Sequence, residues 1–302
     1  MAVFVVVLIL IFSLGYLAQF TGLCMVRGVN EWKNGNPSIL LAILFSGVLA
    51  WVAVVTAYLL DLPLQFRVYE PSLLFAIGGF LFGLGAAFNQ GCGVSTLTRF
   101  SRGDLAFGAT VLGWLLGWTL LAIWRPEVSV KALPLPTNVT YGILIILSLF
   151  IGVWALRGDS SRKKTWLGMM GIGLLAGFIF LYQPNWPPSG LLHDLSRAII
   201  DKNDSLWPEA ERFVLFVALL LGMMASAWKA KKFKIVLPGL KHWSMHLISG
   251  VLMGIGASLS MGGNDSQLLL ALPTFSIAGI ISVTGMIIGL FVGLDIRRKL
   301  IE

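Results

Sequence analysis

The sequence predicts an all-α fold: a polytopic membrane protein of about nine transmembrane helices, with short re-entrant half-helices and an inverted internal repeat. Three observations predict it. Hydrophobic residues make up 57% of the chain and charged ones 12%, at a mean hydropathy of +0.86, far from a soluble composition. A polar stretch from Asn89 to Thr98 interrupts an apolar run. A glycine-rich segment starting at Gly79 recurs from Gly250.

The apolar stretches are 2–20, 38–60, 73–88, 105–124, 141–156, 166–182, 213–228, 243–260 and 275–294. Most are long enough for a span of about 20 residues. The first carries no Lys or Arg before Arg27 and no small-residue cleavage site, so it reads as a retained span rather than a signal peptide. The third changes character midway. Gly78 to Phe88 is apolar and small, then Asn89, Gln90, Gly91, Cys92, Gly93, Ser95, Thr96 and Thr98 follow, and a second apolar run resumes at Leu105. Polar, non-helical backbone at membrane depth survives only where protein covers it or water lines it, so this stretch reads as a hairpin turning back inside the bilayer.

The repeat pairs Gly79 with Gly250, Gly83 with Gly254, Gly85 with Gly256, Ala86 with Ala257, Gly91 with Gly262, Ser95 with Ser266 and Gly108 with Gly279, at one constant offset. A fainter echo sets Gly15 and Gly28 against Gly177 and Gly190. The chain then divides into a first repeat, 1–125, a linker span with a basic loop, 126–164, and a second, inverted repeat, 165–302, within one membrane domain.

Charge sets the orientation. Arg157, Arg162, Lys163 and Lys164 form one basic loop, Lys229, Lys231, Lys232, Lys234 and Lys241 a second, and Arg297, Arg298 and Lys299 a third. The positive-inside rule places all three in the cytoplasm. Counting back through nine spans puts the N-terminus outside and the C-terminus inside. A single odd linker span inserts the second half upside down, so the hairpin after Phe88 enters from the cytoplasm and its partner after Ser260 from outside. Their tips are expected to meet near the midplane, as in transporters built from broken helices.

A half-helix N-terminus aims free N–H groups and a positive dipole end at the bilayer centre, which suits an anion shedding water there. Gly91, Gly93, Gly262 and Gly263 let backbone approach a ligand, and Asn89, Gln90, Ser95, Thr96, Ser266 and Gln267 add polar groups. The competing reading assigns such glycines to helix packing, which fits Gly79, Gly83 and Gly254. Cys92 lies within the polar tip, where a thiol donates a weak hydrogen bond or ionises beside positive dipoles, and Cys24 ends the first span in a similar transition. Asp265 is the one carboxylate of the second hairpin, a costly group at that depth.

The stretch Gly83–Leu97, GLGAAFNQGCGVSTL, together with the Cys24 segment and the later glycine repeat, resembles the YeeE/YedE family of bacterial inner-membrane sulfur-compound transporters. The resemblance implies an hourglass of inverted repeats in the inner membrane that takes up thiosulfate, with cysteines making transient S–H hydrogen bonds along the path. On that basis Cys92 is the central cysteine, Cys24 an accessory one on the cytoplasmic side, and a cytoplasmic sulfur-carrier protein a partner. Transporting members carry a further cysteine where this chain has Gly263, followed by Asn264 and Asp265. A three-cysteine relay therefore does not operate here, and Asn264 and Asp265 are expected to hold the second tip through side-chain to backbone hydrogen bonds.

Other classes weigh less. The partners expected are a small sulfur-containing anion and the lipid bilayer; nucleic acid is not, because the basic residues sit at span ends rather than along an aromatic-lined groove. Two cysteines and three histidines give no zinc spacing, no cofactor is expected, and His242 and His246 are expected at a membrane interface. No phosphate-binding Gly-x-x-x-x-Gly-Lys-Ser/Thr loop is present. The chain is expected not to be an enzyme; the alternatives kept are a membrane-embedded sulfurtransferase using Cys92, which needs a base or cation such as Arg99 or Arg102 nearby, and a sulfur- or selenium-handling subunit of a larger complex.

Overall fold

A computed structural model describes residues 2–62, 68–124, 132–133 and 138–301. Among them, eight helical segments are long and apolar enough to cross a membrane, and a bent helix pair makes a ninth. The protein is thus an all-α polytopic membrane protein. A two-stranded antiparallel ladder, β1 (Val68–Tyr69) with β2 (Ala132–Leu133), is the only other regular element among the described residues.

The chain starts with α1 (Ala2–Thr21), which breaks and restarts as the short α2 (Met25–Lys33). The next crossing is α3 (Ser38–Leu44), a tight 3₁₀ turn (Ser46–Leu49) and α4 (Ala50–Leu59). Then α5 (Leu73–Asn89) breaks into α6 (Gly93–Ser101), α7 (Ala106–Trp124) returns, and α8 (Asn138–Leu156) crosses alone. The pattern resumes with α9 (Ser160–Tyr182), the half-helix α10 (Pro188–Asp201) and α11 (Ala210–Lys229). Last come α12 (Leu240–Leu259), broken into α13 (Asn264–Ser266) with a wide π-helical turn (Gln267–Ala271), and α14 (Ile277–Ile301).

The breaks have a shared local cause. α5 stops where Gln90 enters the left-handed region, φ 57°, letting its N–H reach the Ala87 carbonyl at 3.2 Å and the Gly91 N–H reach Ala86 at 3.0 Å. α12 stops the same way at Met261, φ 58°, with its N–H 3.2 Å from the Ser258 carbonyl and the Gly262 N–H 2.8 Å from Ala257. The next helices also start alike: Cys92, φ −75° and ψ −178°, precedes α6, and Gly263, φ −76° and ψ −172°, precedes α13. These residues pair at the same separation as Gly93 and Asn264, 171 positions. α1 ends by a similar turn at Gly22, φ 67°, whose successor Leu23 donates to Ala18 at 3.3 Å. α10 begins instead on Pro188, a residue suited to a first helical turn because it needs no N–H partner there.

Packing follows the same correspondence. α5 lies along α14, and α12 lies along α7. A Cβ at Gly79 or Gly83 would run into the carbonyls of Ser282 and Met286, and one at Gly250 or Gly254 into those of Thr110 and Trp114. With no hydrophobic drive between helices in lipid, such close backbone approach supplies the dispersion energy of association. The large buried side chains Phe82, Met169, Met253 and Met286 fill the centre, while Ile9, Leu116, Ile146 and Ile288 face outward as a lipid-exposed surface requires.

Basic segments collect at one end of the bundle. Lys164 lies 4.4 Å from the Phe20 ring and Lys229 5.9 Å from Tyr16, both near the end of α1. The Lys229–Lys234 loop pairs with the end of α6, the Lys234 N–H donating to the Arg102 carbonyl at 2.9 Å. Two of the segments between the apolar stretches, 21–37 and 183–212, each contain a half-helix, α2 and α10. His242 is exposed as an interfacial residue would be, but His246 is not: its ring is buried at 5% exposure, 2.7 Å from Oδ1 of Asn89, because α12 turns that face toward α5 and α7.

Candidate functional site

Four helix starts lie within the bundle: α2 after Cys24, α6 after Cys92, α10 after Pro187 and α13 after Gly263. Two of them bring the cysteines together. The Met25 N–H, which follows Cys24 at the start of α2, points to Cys92 Sγ, so the turn that carries Cys24 lies against Cys92 and Ser95. Cys92 is fully buried; its Sγ accepts from the Met25 N–H at 3.4 Å and from the Ser95 hydroxyl at 3.5 Å, while that hydroxyl also reaches the Cys92 carbonyl at 3.2 Å. Both thiols are free. The two groups that donate to Cys92 Sγ, the Met25 N–H and the Ser95 hydroxyl, are neutral, and with the start of α6 they favour negative charge on that sulfur or on an anion beside it.

The remaining residues of the first tip divide by role. Asn89 is fully buried and saturated: its amide donates to the Gly91 carbonyl and Thr96 Oγ1, both at 2.8 Å, and its oxygen accepts from Thr110 at 2.6 Å and meets His246. It braces the turn rather than facing a path. Gln90 and Gly91 form the turn, and Gly91 stays small because a Cβ would sit 3.1 Å from the Ser95 hydroxyl. Gly93 reaches across to the other hairpin, its N–H 3.1 Å from Asn264 Oδ1.

The second tip is held by Asn264 and Asp265. Asp265 Oδ1 accepts from the Ser189 hydroxyl and the Ser266 N–H, both at 2.9 Å, and Oδ2 accepts from the Ser189 N–H at 3.2 Å. The hydroxyls of Ser189 and Ser266 lie 3.1 Å apart. Gly262, φ 149°, occupies a conformation that side chains avoid, and a Cβ at Gly263 would come 2.8 Å from Asp265 Oδ1. Gln267 ties its amide to the Ser260 carbonyl at 2.6 Å.

Two cavities flank this second tip. An open vestibule of about 520 Å³ has Ser189, Gly262, Ser266 and Gln267 on its wall, with His193, Asp194 and Arg197 from α10. A chamber of about 50 Å³ lies between the tips, walled by Leu23, Gly93, Trp114, Trp186, Asn264 and Asp265. Asp194 anchors the vestibule rim: it meets His193 Nδ1 at 2.7 Å and accepts from Arg212 at 2.6 Å, and Arg212 also donates to the Asn185 carbonyl at 2.7 Å. Burial works against this carboxylate, but the hydrogen bonds from His193 and Arg212 outweigh it and hold Asp194 below the ordinary carboxylate range.

A buried Cys92 and a partly exposed Cys24 thus lie at two neighbouring helix starts, next to the contact between the hairpins. The family model described as Sulphur transport matches residues 18–292. The chain belongs to that sulphur transport (YeeE/YedE) family. It is accordingly a membrane transporter of sulfur compounds. No curated protein matches the chain. Within this sulphur transport protein, sequence reasoning singled out both cysteines and both tips but missed Ser189 and the α10 start, Trp114 and Trp186. The Trp186-Pro187-Pro188 run was the available signal, since proline opens helices.

Proposed function

We propose that the protein takes up a small, thiosulfate-like sulfur anion through a constriction between two inverted repeats, 1–125 and 165–302, with Cys92 at its narrowest point and Cys24 beside it. One observation carries this reading: the starts of two half-helices far apart in sequence, each following a cysteine, come together, with the Met25 N–H after Cys24 and the Ser95 hydroxyl donating to Cys92 Sγ. The repeated turns at Gln90 and Met261 and the cross-packing of α5 with α14 and α12 with α7 support the inverted arrangement. The basic end described above supports a cytoplasmic C-terminus.

The sulfurtransferase alternative draws less support. Its thiol wants a base or cation, and Arg99 instead lies over the Phe107 ring at 5.1 Å. Radiolabelled uptake in cells lacking other sulfur importers tests the proposal, with thiosulfate, sulfite and their selenium analogues compared. Saturable uptake of one of them that depends on Cys92 is the expected result; sulfur transfer by the purified protein without any uptake would favour the enzyme instead.

A further inference from the structure

The chamber between the tips combines two opposed features. The residues lining it include three with a buried donor that has no acceptor among the described residues: the indole N–H groups of Trp114 and Trp186, 6% and 4% exposed, and the side-chain amide of fully buried Asn264. Buried N–H groups left unpaired cost about 1–3 kcal/mol each, so an anion toward which these side chains turned would gain hydrogen bonds at no loss of existing ones. Yet the one titratable group on the same wall is a carboxylate, Asp265. Its recorded partners, Ser189 and Ser266, are neutral. An anion entering a nearly dry space of 50 Å³ beside an ionised Asp265 meets like-charge repulsion with little water to screen it.

The hydrogen bonds at Asp265 suit both of its protonation states. Ser189 and Ser266 are among the residues lining the vestibule and Asp265 among those lining the chamber, and the two serine hydroxyls are mutual partners in which either can donate. With Asp265 ionised, the Ser189 hydroxyl donates to Oδ1. With Asp265 protonated, that hydroxyl accepts from the carboxyl and turns its own proton to Ser266. Only rotors move, so a proton from vestibule water reaches the carboxylate through Ser189 without rearranging the tip.

Other charges near Asp265 are already engaged. On α10, His193 and Asp194 pair with each other and Arg212 from α11 closes on Asp194; Arg197 pairs with Asp201. α6 offers Cys92 at its start and Arg99 over Phe107, and the π-helical turn Gln267–Ala271 has no titratable residue. None of these ion pairs includes Asp265.

We propose that uptake is a symport in which Asp265 carries one proton: the chamber accepts the anion when Asp265 is neutral, and the proton leaves to the inner side once the anion has passed the thiol pair. This rests on the uptake reading above and adds its driving force. An inward proton also offsets the cost of moving an anion toward a negative interior.

Purified full-length protein in proteoliposomes, with the membrane potential clamped, tests the proposal by labelled thiosulfate uptake with and without an inward proton gradient. Stimulation of about tenfold by the gradient, within the usual range of coupling between sites, is expected, with acidification of a trapped pH dye when thiosulfate is added. In Asp265→Asn the stimulation and the acidification should vanish while counterflow exchange of thiosulfate persists. Ser189→Ala, which removes only the relaying hydroxyl, should slow the response to the gradient and serves if Asp265→Asn does not insert. Wild-type uptake that ignores the gradient would overturn the symport and leave the transport reading standing. Wild-type vesicles that take up no thiosulfate under either condition would overturn thiosulfate uptake itself, and the symport with it.

Discussion

The backbone N–H of Gly93 donates to Oδ1 of Asn264 at 3.1 Å, and the two residues hold equivalent places in the repeated motif. On the inverted-repeat reading, a contact between counterparts lies on the axis relating the halves, where neither hairpin moves without the other feeling it. The contact also explains a glycine that sequence alone assigns equally well to packing.

Gly93→Ala is expected to break this contact. Its Cβ would sit 2.6 Å from Asn264 Oδ1 and 3.0 Å from the Trp114 ring, so the amide or the indole has to move. Overpacking of this kind costs about 1–3 kcal/mol. Thermal unfolding in detergent should show the loss, and uptake should fall with it. Adding Asn264→Ala removes the struck atom and should recover part of the stability; a single mutant as stable as the parent would show that the tip tolerates separation.

The orientation predicts labelling. A cysteine at Ser161, in the basic first turn of α9, should resist an impermeant thiol reagent applied to intact cells lacking the native cysteines, while one at Ser205, beside the vestibule helix α10, should react. Both positions are exposed, so access depends on sidedness rather than burial. The reverse pattern would invert the proposed topology.

The spans and the first hairpin were legible in sequence because an apolar run that turns polar for ten residues, Asn89 to Thr98, has few other structural readings. α2 and α10 were not, because short half-helices such as MVRGVNEWK carry charges and read as loops when taken alone. Cys24 and Cys92 could each be singled out by their polar surroundings, but their contact depends on two breaks placing two helix starts side by side, a relation that no local pattern carries. The burial of His246 likewise depends on which face α12 presents to Asn89, since an i, i+4 histidine pair fits an interface equally well.

Stability should fall with acid through Asp194. Its folded pKa lies below the unfolded value, so its pairing with His193 and Arg212 contributes fully above the unfolded carboxylate pKa and is lost as pH drops through the folded one. Asp194→Asn should lower stability at neutral pH and flatten the acid limb of the unfolding curve in detergent. An unchanged acid limb would mean that other carboxylates set it.

The sharpest prediction concerns Cys92. Its sulfur accepts from the Met25 N–H and the Ser95 hydroxyl and meets Cys24, so three groups converge on one buried atom. Cys92→Ala leaves those groups facing a methyl, an unsatisfied arrangement costing about 1–3 kcal/mol, and removes the soft donor an incoming sulfur anion would meet. Uptake should fall steeply while the protein still inserts, because little buried volume is lost. Cys92→Ser separates two explanations. It keeps a hydroxyl for the Met25 N–H and Ser95, so stability should return close to the parent. If uptake stays low in that variant, the polarisable sulfur itself matters; if serine works as well as cysteine, the site is a general anion filter, and the sulfur-specific role of the thiol pair is wrong. Cys24→Ser gives the graded control: placed beside Cys92 and partly exposed, it should reduce uptake less than the change at the fully buried partner.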